Sequence, residues 1–210
     1  MRVKDRKKIE ARIEQRKNQI LDAATIVFSE KGYNRANTDE IARKAGLGKG
    51  TLYRYFKDKK DIFFSVVDRG LDRLKGNMLK EVENIENPLK RIECAIRTYL
   101  SFFEENSDFA GMLIHEQSSF RQRIAKRYFE HYYGNVDRVK KTFKAAIAQG
   151  LIKNIDIEAA ISVLTSMLNG LIYMWQFEGR KYSLKDKASV IIRIFFTGII
   201  KDKEIRKKYE

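Results

Sequence analysis

Apolar residues recur along this chain in steps of three and four, the spacing of one face of an α-helix. Ile20, Ala24, Val27 and Phe28 predict a first helix running to about Lys31, closed by Gly32. Between Thr38 and Lys59, Ile41, Ala42, Ala45, Leu47, Leu52, Tyr55 and Phe56 mark the inner faces of two short helices. Ile62, Val66, Val67, Leu71 and Leu74 carry a fourth helix to about Ile85. Asn87-Pro88 caps a fifth, striped by Ile92, Ile96, Tyr99, Leu100 and Phe103, and Ser107 or Asp108 opens a sixth. A long seventh is expected from Ser118 or Ser119 to Gln149. Asp156 caps an eighth, to about Glu178, and Ser183 a ninth; Lys201 to Glu210 reads as a loose tail. No run alternates apolar and polar residues between hairpin turns, so no strand is expected. The pattern predicts an all-α fold of about nine helices.

The stretch TDEIARKAGLGKGTLYRYFKDK, Thr38 to Lys59, organises the rest. Gly46 sits where the chain must reverse between two helices, and Ala42 is small where they cross. The second helix leaves Lys49, Thr51, Tyr53 and Arg54 pointing outward, and two cations, a hydroxyl and a phenol suit phosphates and base edges in a major groove. The plain alternative is a solvated helix face on a helix–turn–helix that never meets nucleic acid. Asn37 or Thr38 caps the first of the two helices, Asn37 with Glu40 having capping-box spacing. The planar fork of Arg54 matches the O6 and N7 atoms of guanine.

Charge sharpens this picture. The chain carries a formal +15, and residues 1–60, with 17 Lys and Arg against 8 Asp and Glu, account for +9 of it. A polyanionic partner is favoured, DNA or, on composition alone, an anionic membrane surface. Residues 1–17 read as a frayed basic extension of the first helix, or as a minor-groove arm. They lack the apolar core of a signal peptide, and a cytoplasmic, nucleoid-associated protein is expected. Cys94 stands alone in an apolar stretch, as a small buried hydrophobe. The uncharged run Ala159 to Phe177 nears membrane-spanning length. Ser162, Thr165, Ser166, Asn169 and Gln176 draw a polar stripe down it, so it reads as a buried or interface helix and no membrane partner is expected.

GTLYRYFKDKKDIF and IARKAGLGKGTLYRYF resemble the tetracycline-repressor (TetR/AcrR) family of bacterial transcription regulators, and the likeness runs from about Gln19 to Val67 with Ala23, Ala24, Phe28, Gly32, Thr38, Lys59 and Ile62 in place. Gly48 departs from it, standing where the family more often has serine. The resemblance implies a DNA-binding head at residues 1–67 and a helical effector-binding and dimerisation domain at 68–210. It implies that Lys49, Gly50, Thr51, Tyr53, Arg54 and Tyr55 approach the groove, and that Thr38 and Lys59 hold phosphates. It also implies a small apolar or amphipathic effector, such as a drug, a fatty acid or an acyl-coenzyme A ester.

Two constellations fall in the C-terminal half. Ser162, Ser166 and Gly170, four apart, with Ile194 and Gly198, suggest a face where helices of two copies meet; close packing within one copy is the alternative. Phe103, Phe109, Met112, Phe120, Tyr128, Tyr132, Met167, Tyr173, Met174 and Phe177 are more aromatic and sulfur-bearing side chains than a small bundle needs, and read either as the lining of a ligand pocket or as ordinary core. His115 and His131 have no ligand spacing, so neither metal nor cofactor is expected. No nucleotide loop, nucleophile elbow or HExxH is present, which argues against an enzyme. The leading expectation is a homodimeric repressor on a palindromic operator, released by an effector. An effector-independent DNA-binding protein acting in chromosome organisation or cell division is the alternative.

Overall fold

The computed structural model describes residues 3–115, Phe120, Arg127 and 136–208. The described residues form ten helices. α1 is Val3–Arg35, α2 Thr38–Lys44, α3 Lys49–Tyr55, α4 Lys59–Val82, α5 Pro88–Glu105 and α6 Ser107–His115. Residues 136–148 are helical (α7), followed by α8 Ile157–Phe177, α9 Leu184–Ile199 and α10 Lys203–Lys207. The chain is all-α, as the periodicity predicts, with one isolated bridge between Ile152 and Ile200. Three local expectations need correction. The tail expected to be loose contains α10, capped by Asp202. α4 ends at Val82 rather than Ile85. Cys94 is half-exposed, its Sγ 3.6 Å from the Glu81 carbonyl. Most of the expected seventh helix lies outside the described residues.

The caps behave as their chemistry requires. Asn87 accepts from the Lys90 N–H with Pro88 at the first helical position. Asp156 accepts from Glu158 and Ala159, and Ser183 from Asp186. Asp58 accepts from the Asp61 N–H while the Asp61 carboxylate accepts from Lys57. Asn37 caps α2, but Glu40 does not close the capping box: it pairs with Lys31 at 2.6 Å, which draws its carboxyl below the usual carboxylate range.

The chain divides into two compact units, Met1–Gly70 with Gly111–Arg127, and Leu71–Ala110 with Tyr128–Glu210. The first unit takes in Gly111–Arg127 although these residues follow α5 in the chain. In the first unit, Ile20, Val27, Phe28, Ile41, Leu52, Ile62 and Phe63 are fully buried. Phe28, Tyr33, Phe63, Phe64 and Phe120 form one aromatic cluster, with ring centroids 4.7 to 6.0 Å apart and mostly edge-to-face. Arg127 pairs with Asp68 and lies over the Phe64 ring.

Helices α1 and α4 run antiparallel, and two cations pin them. Near one end the Lys59 ammonium donates to the carbonyls of Tyr33, Asn34 and Ala36 at 2.7, 3.3 and 3.0 Å and sits over the Tyr33 ring. Further along, Arg69 donates to the Asn18 carbonyl at 3.1 Å and pairs with Asp22. Gly32, at φ 70°, turns the chain so that the carbonyls after it face Lys59. In the second unit α5 packs on α8 and α9, and Tyr99 donates to Asn169 at 2.7 Å.

Lys59→Met keeps the stem and removes all three donors. The free protein should lose about 1–3 kcal/mol, the cost of leaving partly buried carbonyls unsatisfied. Urea unfolding measures this, and an unchanged midpoint would leave Lys59 a phosphate contact alone.

Candidate nucleic-acid interface and effector cavity

The turn between α2 and α3 depends on Gly46, at φ +66°, a backbone conformation that side chains resist. Its N–H bonds the Arg43 carbonyl and the Leu47 N–H that of Ala42. Gly48 caps α3 by its backbone alone, with no side-chain hydrogen bond. Leu52 and Phe56 face inward and are buried. Lys49, Gly50, Tyr53 and Arg54 are exposed, and Thr51 and Tyr55 are half-buried beside them. Seven of the eight residues expected at DNA therefore share one region; the eighth, Lys59, is engaged at the end of α1.

Local partners hold several of these side chains in place. Thr38 is 8% exposed, and its hydroxyl lies 2.9 Å from the Tyr53 hydroxyl, so the start of α2 and the middle of α3 present together. Asp39 pairs with Lys49 at 2.8 Å, and that hydrogen bond and charge raise the lysine above its ordinary range. Arg54 holds no hydrogen bond or ion pair among the described residues, leaving its guanidinium available. A Cβ on Gly50 would meet nothing within 4 Å. Packing does not require glycine there, and an exposed helical glycine costs about 1 kcal/mol against alanine. What its bare backbone permits is the close approach of something outside the chain.

The basic lead-in is helical from Val3 and continues α1. The pairing of Asn18 and Asp22 with Arg69 places that continuation at the end of the head opposite Lys59, Thr38 and Tyr53. Arg6, twelve residues beyond Asn18, lies about 18 Å further out along the axis. Over residues 3–17 the lead-in is thus a helical extension of α1.

The second unit holds an apolar cavity of about 180 Å³ between α4, α5, α7 and α8. Leu71, Leu74, Met78, Ile92, Ile96, Phe143, Ile161 and Leu164 are among the residues of its wall. None of the expected pocket residues that are among the described ones lines it. Phe103 and Phe109 pack against Tyr99 and Phe102 with centroids 5.0 to 6.3 Å apart, and Met112 is fully buried. Phe120 belongs to the aromatic cluster of the first unit. Met167 is half-buried, Tyr173, Met174 and Phe177 are exposed, and Tyr128 and Tyr132 lie outside the described residues. Rings that stack on one another fill space; the cavity lies where branched and unbranched aliphatic chains leave it open. The apolar stripe Leu71–Leu74, continuing past the head, was the signal that could have located it.

Ser162, Ser166, Gly170, Ile194 and Gly198 are all exposed on α8 and α9, together with Val163 and Val190. A Cβ at Gly170 or Gly198 would meet nothing within 4 Å, so packing within this copy does not need their smallness. α8 is long and apolar enough to cross a membrane by length and composition, yet Ile161, Leu164, Leu168, Ile172 and Trp175 bury one side of it.

This arrangement is that of a helix–turn–helix DNA-binding protein with a separate helical unit. A family described as "Bacterial regulatory proteins, tetR family" matches residues 20–66, and "Tetracyclin repressor-like, C-terminal domain" matches residues 86–199. The chain belongs to the TetR family of transcriptional regulators, DNA-binding proteins and not enzymes. The fatty acid metabolism regulator protein of Bacillus subtilis is 23% identical over 182 residues, covering 86% of this chain and 94% of that protein. The fatty acid degradation regulator FadR of Bacillus halodurans superposes with a TM-score of 0.79 at 20% identity, over 87% of this chain and 95% of that one. FadR from Bacillus subtilis, crystallised with stearoyl-CoA, gives 0.74 at 23% identity, over 86% and 97%. These likenesses to solved structures establish the fold.

Gly50→Ala separates stability from recognition. The free head should gain up to about 1 kcal/mol in urea unfolding, while affinity for DNA in a fluorescence-anisotropy titration falls. Unchanged affinity would remove the α3 backbone from the contact surface.

Proposed function

We propose that this regulator is a homodimeric repressor that occupies a palindromic operator and leaves it when an apolar or amphipathic effector enters the cavity. The observation that carries the reading is the course of α4. One helix begins at Lys59, packed into the head, and further along supplies Leu71, Leu74 and Met78 to the cavity wall. A ligand that binds better to one position of α4 shifts the population of head positions, because a ligand can only favour the state it binds more tightly. Relatives named for fatty acid regulation, one of them holding stearoyl-CoA, support an acyl-bearing effector.

In the same reading Thr38, Lys49, Gly50, Thr51, Tyr53, Arg54 and Tyr55 meet the DNA in the cytoplasm. Lys59 acts there chiefly by its charge, since its three N–H groups are already directed at carbonyls. The exposed row Ser162, Ser166, Gly170, Ile194 and Gly198 receives the same row from a second copy, as two-fold pairing on two half-sites requires. Of the residues proposed from sequence as pocket, Phe103, Phe109, Met112 and Phe120 act as packing and Tyr173, Met174 and Phe177 as part of the exposed α8 surface.

A fluorescence-anisotropy titration tests this at about 150 mM salt, on the duplex upstream of the protein's own gene against a shuffled duplex. Binding roughly a thousandfold tighter to the native duplex is expected; equal binding would favour an architectural, effector-independent role. Arg54→Ala should cost about 1–3 kcal/mol on the operator and little on shuffled DNA, an equal loss on both reassigning Arg54 to phosphate. Ile194→Asp should convert the protein to monomers in light scattering and weaken operator binding; a persistent dimer would place the interface elsewhere.

A further inference from the structure

The cavity has a chemical polarity of its own. Among the described residues its wall includes three cations, Lys75, Arg91 and Arg138, and no acid. Among the described residues none of the three holds an ion pair. Arg91 spends one N–H on the Ile85 carbonyl at 2.8 Å and keeps the rest of its fork. Exposure grades across the site: Arg138 is exposed, Lys75 and Arg91 are half-buried, and Leu71, Ile96 and Phe143 are buried. The cations therefore stand at the mouth and the aliphatic and aromatic groups form the floor. Three unpaired like charges over an apolar hollow repel one another and hold a positive potential that an anion relieves.

Size narrows the occupant further. An apolar cavity of about 150 Å³ accommodates a six-carbon ring. On that scale about 180 Å³ accepts a tail of roughly six to eight carbons, and an eighteen-carbon chain needs about 450 Å³.

We propose that the cavity takes a medium-chain amphipathic anion, its tail of about six to eight carbons in the floor and its anionic head on Lys75, Arg91 and Arg138. This rests on reading the cavity as the effector site. The head is a carboxylate or the phosphates of a coenzyme A thioester, which offer the same chemistry to these cations. Positively charged amphiphiles of the same length are excluded by the same charges.

Isothermal titration calorimetry on the full chain tests the assignment. The ligands are straight-chain carboxylates, their coenzyme A thioesters and the matching uncharged alcohols, from about four to about eighteen carbons. Affinity should peak near eight carbons and fall about tenfold or more at either extreme. Whichever head series binds more tightly identifies the source of the anion. Arg91→Met, checked for an unchanged fold by circular dichroism, should weaken the anions roughly tenfold and leave the alcohols unchanged. Ile161→Ala, which enlarges the floor, should move the optimum to longer chains, a gain that misfolding cannot produce. An optimum at the longest chains in the unaltered protein overturns the size assignment, and equal affinity for alcohol and anion overturns the head assignment. Operator release is read separately by anisotropy. Ligands that bind as expected but do not release DNA would refute the effector reading while the ligand class stands; absence of binding by every ligand would overturn the proposal.

Discussion

The antiparallel clamp of α4 on α1 is the constraint from which the DNA-binding head follows. Lys59 closes one end of it by satisfying three carbonyls at the end of α1, where Gly32 has turned the backbone out of the helix. Arg69 ties α4 to α1 some ten residues later, at Asn18 and Asp22. Between them Phe28, Phe63 and Tyr33 interlock edge to face. With that frame in place, α2 and α3 bury Ile41, Ala42 and Leu52 against it, and the outward side of α3 has no alternative but to face solvent or DNA.

That outward side is less stable than it could be. Gly50 gives up helix propensity without any internal need for its smallness, Gly48 caps α3 without a side chain, and Arg54 has no partner among the described residues. Residues that a stability criterion alone would replace are the ones a DNA duplex would use: a backbone that can approach, and a guanidinium not already committed. Asp39 works the other way, occupying Lys49 with a local counter-charge. The free lysine is thereby partly neutralised, which tempers attraction to phosphates of any sequence.

The second unit likewise leaves part of its interior and part of its surface uncommitted. α5 packs on α8 and α9, with Tyr99 donating to Asn169, while α4, α5, α7 and α8 leave a hollow edged by cations. The small residues of α8 and α9 were set aside from internal packing, as the open space around Gly170 and Gly198 shows. One face of α8 and α9 is thus left exposed, and one hollow is left open beside α4.

Much of this was legible in the chain itself. The helices, their caps at Asn37, Asn87, Asp156 and Ser183, the reversal at Gly46 and the outward set Lys49, Tyr53 and Arg54 follow from periodicity and from backbone groups that neighbours a few residues away must satisfy. Those interactions are local, so spacing reveals them. The occupation of Lys59 by carbonyls more than twenty residues away, the direction of the basic extension and the site of the cavity are not local. They depend on which helices meet and at what register. A phenylalanine in a stripe reads the same whether it stacks on another ring, as Phe103 does, or borders empty space. The sequence by itself determined the elements and the face offered to DNA. Only the tertiary structure decided where volume was left over, because a cavity is what remains after side chains from separate helices have filled the rest.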